Sequence, residues 1–166
     1  MPTWADADGH FWLFGGFGFD AAGSLGYLND LWMYNPSTGQ WTWMDGPNTV
    51  DHSGVYGSLG VEAAGNLPGA RWGAVSWDVY DGYIWVFGGY GVDVNGVALG
   101  YLNDLWRYNK ANGRWTWMSG SSTYGAPAVY GTKGVPAATN VPGARNYMVA
   151  MADWWTGKLW MFGGAF

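Results

Sequence analysis

The chain has 166 residues, among them 14 Trp, 11 Tyr and 29 Gly, and its formal net charge is −5. This length suits roughly one domain, and the richness in aromatic residues and glycine is typical of short β-strands joined by tight turns. The absence of cysteine excludes disulfides and thiolate chemistry, and the excess of acidic over basic residues argues against a nucleic-acid partner.

A strand-turn-strand block opens the chain at residues 3–16 and ends in Gly15-Gly16. Two apolar runs joined by a short turn that contains Asp and Gly predict a β-hairpin. We expect each diglycine to close its strand, because glycine adopts positive φ and carries no Cβ against a neighbouring ring. Further copies of the block lie at 76–89, ending in Gly88-Gly89, and at 151–164, ending in Gly163-Gly164.

After the diglycine we predict a glycine-bearing loop, at 17–26 in the first copy and at 90–100 in the second. The motif Leu-Gly-Tyr-Leu-Asn-Asp-Leu-Trp then forms a strand, and a turn connects it to a Trp-Thr-Trp-Met strand. These motifs occur twice, with Tyr27 lying 74 positions before Tyr101. Self-similarity at a fixed period indicates a repeat architecture.

Two long connections, at 45–67 and 119–141, lead into Pro-Gly-Ala-Arg and a further strand. One period therefore contains four short strands, which are A from Arg71, B from Gly82, C from Leu102 and D from Arg114. Four antiparallel strands per repeat are the construction of a propeller blade.

The Phe-Gly-Gly at the end of strand B resembles the diglycine of kelch repeats, as does a later Tyr with a Trp seven positions on. These pairs are Tyr34 with Trp41 and Tyr108 with Trp115. The resemblance covers nearly the whole chain and implies an all-β fold, a kelch-like β-propeller segment of about two four-stranded blades plus partial end blades. The period of 74 residues exceeds the roughly 50 of kelch repeats, and we interpret the excess as an insertion before strand A.

Structural roles are predicted for the recurring polar and aromatic residues. The Tyr and Trp rings would pack between adjacent sheets. Arg71 and Arg145 would bridge backbone carbonyls of neighbouring blades. Asp30 and Asp104 stand inside apolar strands, where a carboxylate is costly unless it is hydrogen-bonded to a turn.

The strand order is B-C-D, A-B-C-D, A-B. It predicts a partial blade at 1–46, an insertion with one complete blade at 47–120, and an insertion with a trailing A-B hairpin at 121–166. Closed propellers have about 4–8 blades, so the chain is either a segment of a longer array or one subunit of an assembly. In an assembly, we expect the hairpin at 142–166 to meet the incomplete blade of a second copy by strand complementation, in a ring or a filament.

Catalysis is not predicted for this chain. Galactose-oxidase-like copper enzymes share a kelch-type propeller, but their site needs a cysteine-crosslinked tyrosine and two histidine ligands. This chain has no cysteine, and His10 and His52 lie in unrelated parts of the repeat. The sequence also has no Gly-x-Ser-x-Gly elbow and no phosphate-binding loop with its lysine. We therefore predict no catalytic residue, no metal and no other cofactor.

Binding is the function that remains. Tyr56, Tyr124 and Tyr130 in the long connections are candidates for stacking on sugar rings. The main prediction is a non-catalytic structural or interaction module whose partners are copies of itself, with a glycan or another protein as a further partner. The alternative is a carbohydrate- or protein-binding propeller segment of a larger extracellular protein. The composition favours an extracellular or cell-surface location, and no apolar run predicts a membrane span.

Overall fold

The fold is a series of antiparallel sheets in chain order, in a computed structural model that describes residues 1–96 and 99–166. The first sheet contains β1 (Thr3–Ala5), β2 (Phe11–Phe19), β3 (Leu25–Asn35) and β4 (Gln40–Asp45). The second sheet contains β5 (Arg71–Trp72), β6 (Val75–Asp78), β7 (Tyr83–Val92), β8 (Leu99–Asn109) and β9 (Arg114–Ser119). The third sheet is the hairpin of β10 (Val149–Asp153) and β11 (Lys158–Phe162).

Strand pairing follows the chain order, except that β5 and β6 share one partner. The first sheet has the order β1-β2-β3-β4, and in the second sheet β5 and β6 both pair with β7, which pairs in turn with β8 and then β9. The described residues contain strands and turns but no helix, so the predicted all-β class with partial end blades is confirmed. The division into units at 1–46, 47–120 and 121–166 stays a prediction.

No segment of the described chain forms a helix with the length and apolar character needed to cross a membrane.

Strand β2 passes through its diglycine instead of ending there. Gly15 and Gly16 have φ values of +58° and +120°, and the pairing of β2 with β3 shifts register between Phe14 and Gly16, as in a β-bulge. A Cβ on Gly15 would lie 2.6 Å from the carbonyl oxygen of Leu28, so a side chain cannot be accommodated. The predicted loop at 17–26 is therefore too long, because a bulge bends a strand without ending it.

The second diglycine behaves in the same way. Gly88 and Gly89 have φ values of +62° and +103°, and β7 continues to Val92, while β8 begins at Leu99. The predicted loop at 90–100 is wrong at both ends, and its residues 97 and 98 lie outside the described part of the chain.

Strand A differs between the first two sheets. In the second sheet it is divided into β5 and β6, and Gly73 between them has a φ of +64°. In the first sheet the A position is held by β1 alone, whose three residues pair with Phe11–Leu13 of β2. The described first sheet therefore has a strand at the place of β6 and none at the place of β5.

Apolar layers fill the space between successive sheets. Phe14 of the first sheet packs on Trp115 of the second at a ring-centroid distance of 5.2 Å, and Trp12 packs on Tyr108 at 6.4 Å. The layer between the second and third sheets contains Trp77, Phe87, Met148, Leu159 and Met161. The middle sheet is thus covered on both faces, and each end sheet is covered on one.

Candidate interaction surfaces

The second sheet contains a fully buried ion pair between Arg71 of β5 and Asp104 of β8. Arg71 Nη1 lies 2.6 Å from Asp104 Oδ1, and Nη2 lies 2.8 Å from Oδ2. The planar guanidinium thus binds both carboxylate oxygens, which is the strongest form of this pair. Arg71 also donates to the carbonyl oxygens of Gly69 and Gly88. This set of contacts defines the Arg71 site.

Two further donors saturate the Asp104 carboxylate. They are the hydroxyl of Tyr56, at 2.6 Å, and the indole Nε1 of Trp106, at 2.7 Å. Burial alone would raise the pKa of Asp104, but the Arg71 charge and the hydrogen bonds outweigh it and hold that pKa below its usual value. Burial and the nearby Asp104 charge raise the pKa of Tyr56. At neutral pH the carboxylate is therefore ionised and the phenol is protonated.

These contacts differ from the roles predicted for Arg71 and Asp104. The carbonyls that Arg71 reaches, on Gly69 and Gly88, belong to its own repeat and not to a neighbouring blade. Asp104 accepts from a guanidinium, a phenol and an indole instead of a turn. Local sequence patterns do not reveal this pairing, because its members lie on different strands. The one available signal was that the Arg and the Asp each recur at the 74-residue period.

The first sheet has half of an equivalent site. Asp30 stands at the place of Asp104, and its Oδ2 accepts the indole N–H of Trp32 at 2.7 Å, as Asp104 accepts that of Trp106. Among the described residues, however, its Oδ1 has no hydrogen-bond partner although the atom is buried. Burial raises the pKa of Asp30. A cavity of about 610 Å³, lined by Gly15, Asp30 and Trp32 among others, opens beside it.

The third sheet has the opposite half. Arg145 stands at the place of Arg71 and donates to the carbonyl oxygens of Gly143 and Gly163. In the described part of the chain no carboxylate forms an ion pair with it. Tyr130 stands at the place of Tyr56 and is 82% exposed. The Arg71 site is therefore complete in the middle sheet and divided between the two ends.

The long connection at 45–67 covers the outer strand of the second sheet. Ala63 bridges to Trp115 of β9, and the N–H of Gly60 donates to the carbonyl oxygen of Trp117. The connection at 119–141 repeats the internal bridge of the first one, with Val129 paired to Val141. It therefore holds the same local shape although the third sheet has no described strand at the place of β9.

Each end sheet leaves one apolar face open. The leading face belongs to the first sheet, where Trp41 is 53% exposed although its counterpart Trp115 is fully buried. The trailing face belongs to the third sheet, where Phe162 is 82% exposed and its counterpart Phe87 is 4% exposed. Further large exposed side chains include Phe11 and Trp43 on the leading face and Val149, Met151 and Trp160 on the trailing face.

The three tyrosines proposed for sugar stacking lie in different environments. Tyr56 is buried against Trp106 and Trp117, so its ring offers no face to a ligand. Tyr124 is half-exposed and lies against the backbone of Gly100. Tyr130 is exposed, as described above. Glycan binding therefore stays a prediction for Tyr124 and Tyr130 and is not supported for Tyr56.

One group of three side chains in the described residues brings possible metal ligands within 4.8 Å of one another, namely Asp6, Asp8 and His10. Asp6 already accepts the backbone N–H groups of Asp8 and His10 and the indole N–H of Trp12. These bonds stabilise the turn between β1 and β2, as an Asx turn does. The group is explained by the hairpin and gives no reason to assign a metal.

Asp30→Asn is expected to raise the free energy of unfolding at neutral pH by about 1 kcal/mol. The change removes a partly buried charge that forms no ion pair within the described residues, while the amide oxygen still accepts the indole N–H of Trp32. Because burial raises the pKa of Asp30, ionisation costs stability above that pKa. The gain should therefore disappear as the pH falls through it and wild-type Asp30 becomes protonated.

Urea unfolding at neutral and at mildly acidic pH measures this gain. Asp8→Asn, which changes an exposed carboxylate in a turn, is the control and should leave the stability unchanged. A neutral-pH loss of stability in Asp30→Asn would show that the carboxylate is better satisfied than its contacts indicate.

Antiparallel sheets that repeat along the chain, follow one blade plan and stack through apolar layers define a repeat protein of β-propeller type. Residues 7–42 match the family model of the Kelch motif, so the predicted kelch repeat is confirmed there. A kelch motif on this scaffold indicates a protein-interaction module. No curated protein matches the sequence.

Among solved structures, the structure of YjhT is similar, with 18% sequence identity and a TM-score of 0.48 over 76% of this chain. This chain spans 38% of the length of that one.

Proposed function

We propose that this chain is a non-catalytic interaction module that assembles head to tail, with the trailing face of one copy on the leading face of the next. One observation carries the proposal: the two open faces are the two sides of a contact that the chain already makes internally. The trailing face has the counterparts of the first-sheet residues in that contact. The leading face has the counterparts of the second-sheet residues.

The internal contact joins the first and second sheets. Trp12 and Phe14 project from β2 onto Tyr108 and Trp115 of β8 and β9. In the repeat, Trp160 and Phe162 of the third sheet stand where Trp12 and Phe14 stand in the first. They are exposed in the single chain.

The receiving side is repeated as well. Tyr34 and Trp41 of the first sheet stand where Tyr108 and Trp115 stand in the second. The rings of Tyr34 and Trp41 are 5.0 Å apart, the same centroid distance as in the buried pair. The leading face thus already has the geometry to which the internal contact is made. Burial of such rings is the largest apolar contribution available at an interface.

Stacking of faces is favoured over the insertion of a strand. The hairpin at 142–166 was expected to complete the first sheet by strand complementation. However, β1 already pairs with Phe11–Leu13 of β2 and occupies the outer part of that edge. A contact between faces leaves every strand in place and requires no displacement of β1. Such a head-to-tail contact closes into a ring or continues as a filament, according to its rotation.

The fully buried carboxylate of Asp104 also supports a non-catalytic role. Asp104 is fully buried and saturated by Arg71, Tyr56 and Trp106. A carboxylate used in catalysis has to reach a substrate or a water molecule. Asp104 is therefore explained by the stability of the second sheet.

Sedimentation velocity of the purified chain tests the assembly. We expect the wild type to exceed its monomer mass of 18.1 kDa as concentration rises, and Phe162→Asp to stay monomeric because a carboxylate on the trailing face cannot be buried. Trp155→Asp is the matched control, since Trp155 is an exposed aromatic residue in the turn of the same hairpin. It should assemble like the wild type.

A mixing experiment tests the head-to-tail geometry. Trp41→Asp blocks the leading face and Phe162→Asp blocks the trailing face, so each variant alone should be monomeric. Mixed together, they should form a dimer and nothing larger, because each keeps the face that the other lacks. A wild-type chain that stays folded and monomeric at all concentrations would overturn the proposal.

A further inference from the structure

We propose that the cavity beside Asp30 is a binding site for a guanidinium group, the side chain of an arginine presented by another chain. The inference rests on the internal repeat and does not depend on the head-to-tail contact. The fold alone does not indicate what this cavity binds, whereas the repeat indicates the class of ligand.

The cavity is polar at one point and apolar around it. Asp30 contributes a buried Oδ1 that no donor reaches within the described chain. Its walls include Phe17, Leu28, Trp32 and Trp41, and Asp30 is the one charged side chain among its described lining residues, which also include Met1 with its α-amino group. A ligand that fits must therefore carry positive charge at one end and accept aromatic neighbours along its sides.

The second sheet shows the occupied form of the same site. There the Asp104 carboxylate receives two parallel hydrogen bonds from Arg71, at 2.6 Å and 2.8 Å. The same guanidinium donates to the carbonyl oxygen of Gly88 at 3.1 Å. Gly15 is the counterpart of Gly88 and lines the cavity beside Asp30. Counterparts of two of the three residues that accept from Arg71, namely Asp104 and Gly88, are thus present in the first sheet without a guanidinium.

The indole N–H of Trp32 orients the acceptor. It binds Asp30 Oδ2 at 2.7 Å, as the indole of Trp106 binds Asp104 Oδ2 at the same distance. This bond directs Oδ1 towards the missing partner. The carboxylate is therefore held in the orientation that it has in the complete site, and a ligand need not reorganise it on binding.

A guanidinium suits this cavity better than an ammonium or a metal ion. A planar guanidinium donates two parallel bonds to one carboxylate and also stacks on aromatic rings, whereas an ammonium is a compact and strongly hydrated charge. Calcium requires roughly six to eight oxygen ligands, and the described lining has a single carboxylate. The site is therefore expected to distinguish arginine from lysine.

Titration with N-acetyl-arginine amide tests the site in the Phe162→Asp chain, where the cavity is open whether or not wild-type chains assemble. The indole N–H resonance of Trp32 reports on it directly, since that proton contacts Asp30. We expect saturable binding, and about tenfold or greater weakening in Asp30→Asn, because a charge-assisted bond is lost. N-acetyl-lysine amide should bind more weakly, and Asp8→Asn should bind like the parent.

A second experiment tests whether the arginine comes from another copy of this chain or from a different partner. Unlabelled chain is added to isotope-labelled chain, with and without Arg145→Gln in the unlabelled partner. A shift of the Trp32 resonance that needs Arg145 assigns the arginine to a second copy, and binding of the free probe alone assigns it to a different partner. Absence of probe binding, or equal binding by folded Asp30→Asn, would overturn the inference whatever the state of assembly.

Discussion

Arg71→Met is expected to lower the free energy of unfolding by about 3–5 kcal/mol, the usual effect of removing one partner of a buried ion pair. The apolar side chain fills much of the volume of Arg71 but leaves the Asp104 carboxylate ionised and buried. Tyr56 and Trp106 still donate to that carboxylate, and they carry no charge to compensate it. Urea unfolding of the monomer, followed by tryptophan fluorescence, measures the loss.

The repeat supplies a matched control. Arg145→Met removes the counterpart of Arg71, which is partly exposed and donates only to backbone carbonyls. Its effect should stay within about 0.5 kcal/mol. In Arg71→Met with Asp104→Asn the loss should be smaller than the sum of the single losses, because the uncompensated charge is gone. Equal effects of Arg71→Met and Arg145→Met would contradict the assignment of Asp104 as the partner.

The pH dependence of the Arg71→Met effect follows from the lowered pKa of Asp104. A lowered carboxyl pKa contributes stability above the unfolded-state pKa, and this contribution disappears as the pH falls through the folded-state value. Without a counter-ion, burial should raise the pKa of Asp104 in the variant, as it raises the pKa of Asp30 in the wild type. The difference between wild type and Arg71→Met should therefore be constant only above that raised pKa. It should decrease as the pH falls through it, because protonation removes the buried charge of the variant while the wild-type carboxylate is still ionised.

Trp115→Ala is expected to lower the free energy of unfolding by about 3–5 kcal/mol. Trp115 is fully buried between the first two sheets, in contact with Phe14, Trp106 and Tyr108. Alanine would leave a cavity at the centre of that layer, and the flanking strands cannot close it without breaking their pairing. The measurement is urea unfolding in the Phe162→Asp background, so that association does not contribute.

Trp41→Ala makes the same substitution at the repeat-equivalent position, where the tryptophan is exposed. Comparison with Trp115→Ala therefore shows how much of the stability loss depends on burial. Trp41 is about half exposed on the leading face, so the same substitution should cost less than about 1 kcal/mol in the monomer. In the otherwise wild-type chain it should also weaken assembly. A Trp41→Ala effect as large as that of Trp115→Ala would mean that the leading face is already covered in the single chain.

Many local features of the fold could be predicted because they depend on residues close in sequence. Apolar runs separated by Asp and Gly identified the hairpins, and the 74-residue period identified the repeat. The positive φ of both glycines in each diglycine was predicted from their lack of a Cβ. The continuation of β2 and β7 beyond the diglycine was not, because a bulge and a strand end have the same local sequence.

The candidate sites were less predictable because they join residues that are distant in the chain. Tyr56 was proposed as a ligand-binding residue from its place in a long connection, yet the fold buries it against Asp104, which lies 48 positions later. Its counterpart Tyr130 remains exposed because the described third sheet has no strand that supplies such an aspartate. Identical residues at equivalent positions of the motif thus have different surroundings in the two repeats.

The amino-acid order by itself determined the all-β class, the kelch-type repeat and the hairpins, since strand alternation and turn chemistry act over a few residues. Only the tertiary structure decided which of the repeated residues are buried and which are open. Burial depends on whether another sheet covers a face, and that property belongs to the neighbouring sheet and not to the residue. For this reason Arg71 and Trp115 are parts of the core, while Arg145 and Trp41 are partly exposed.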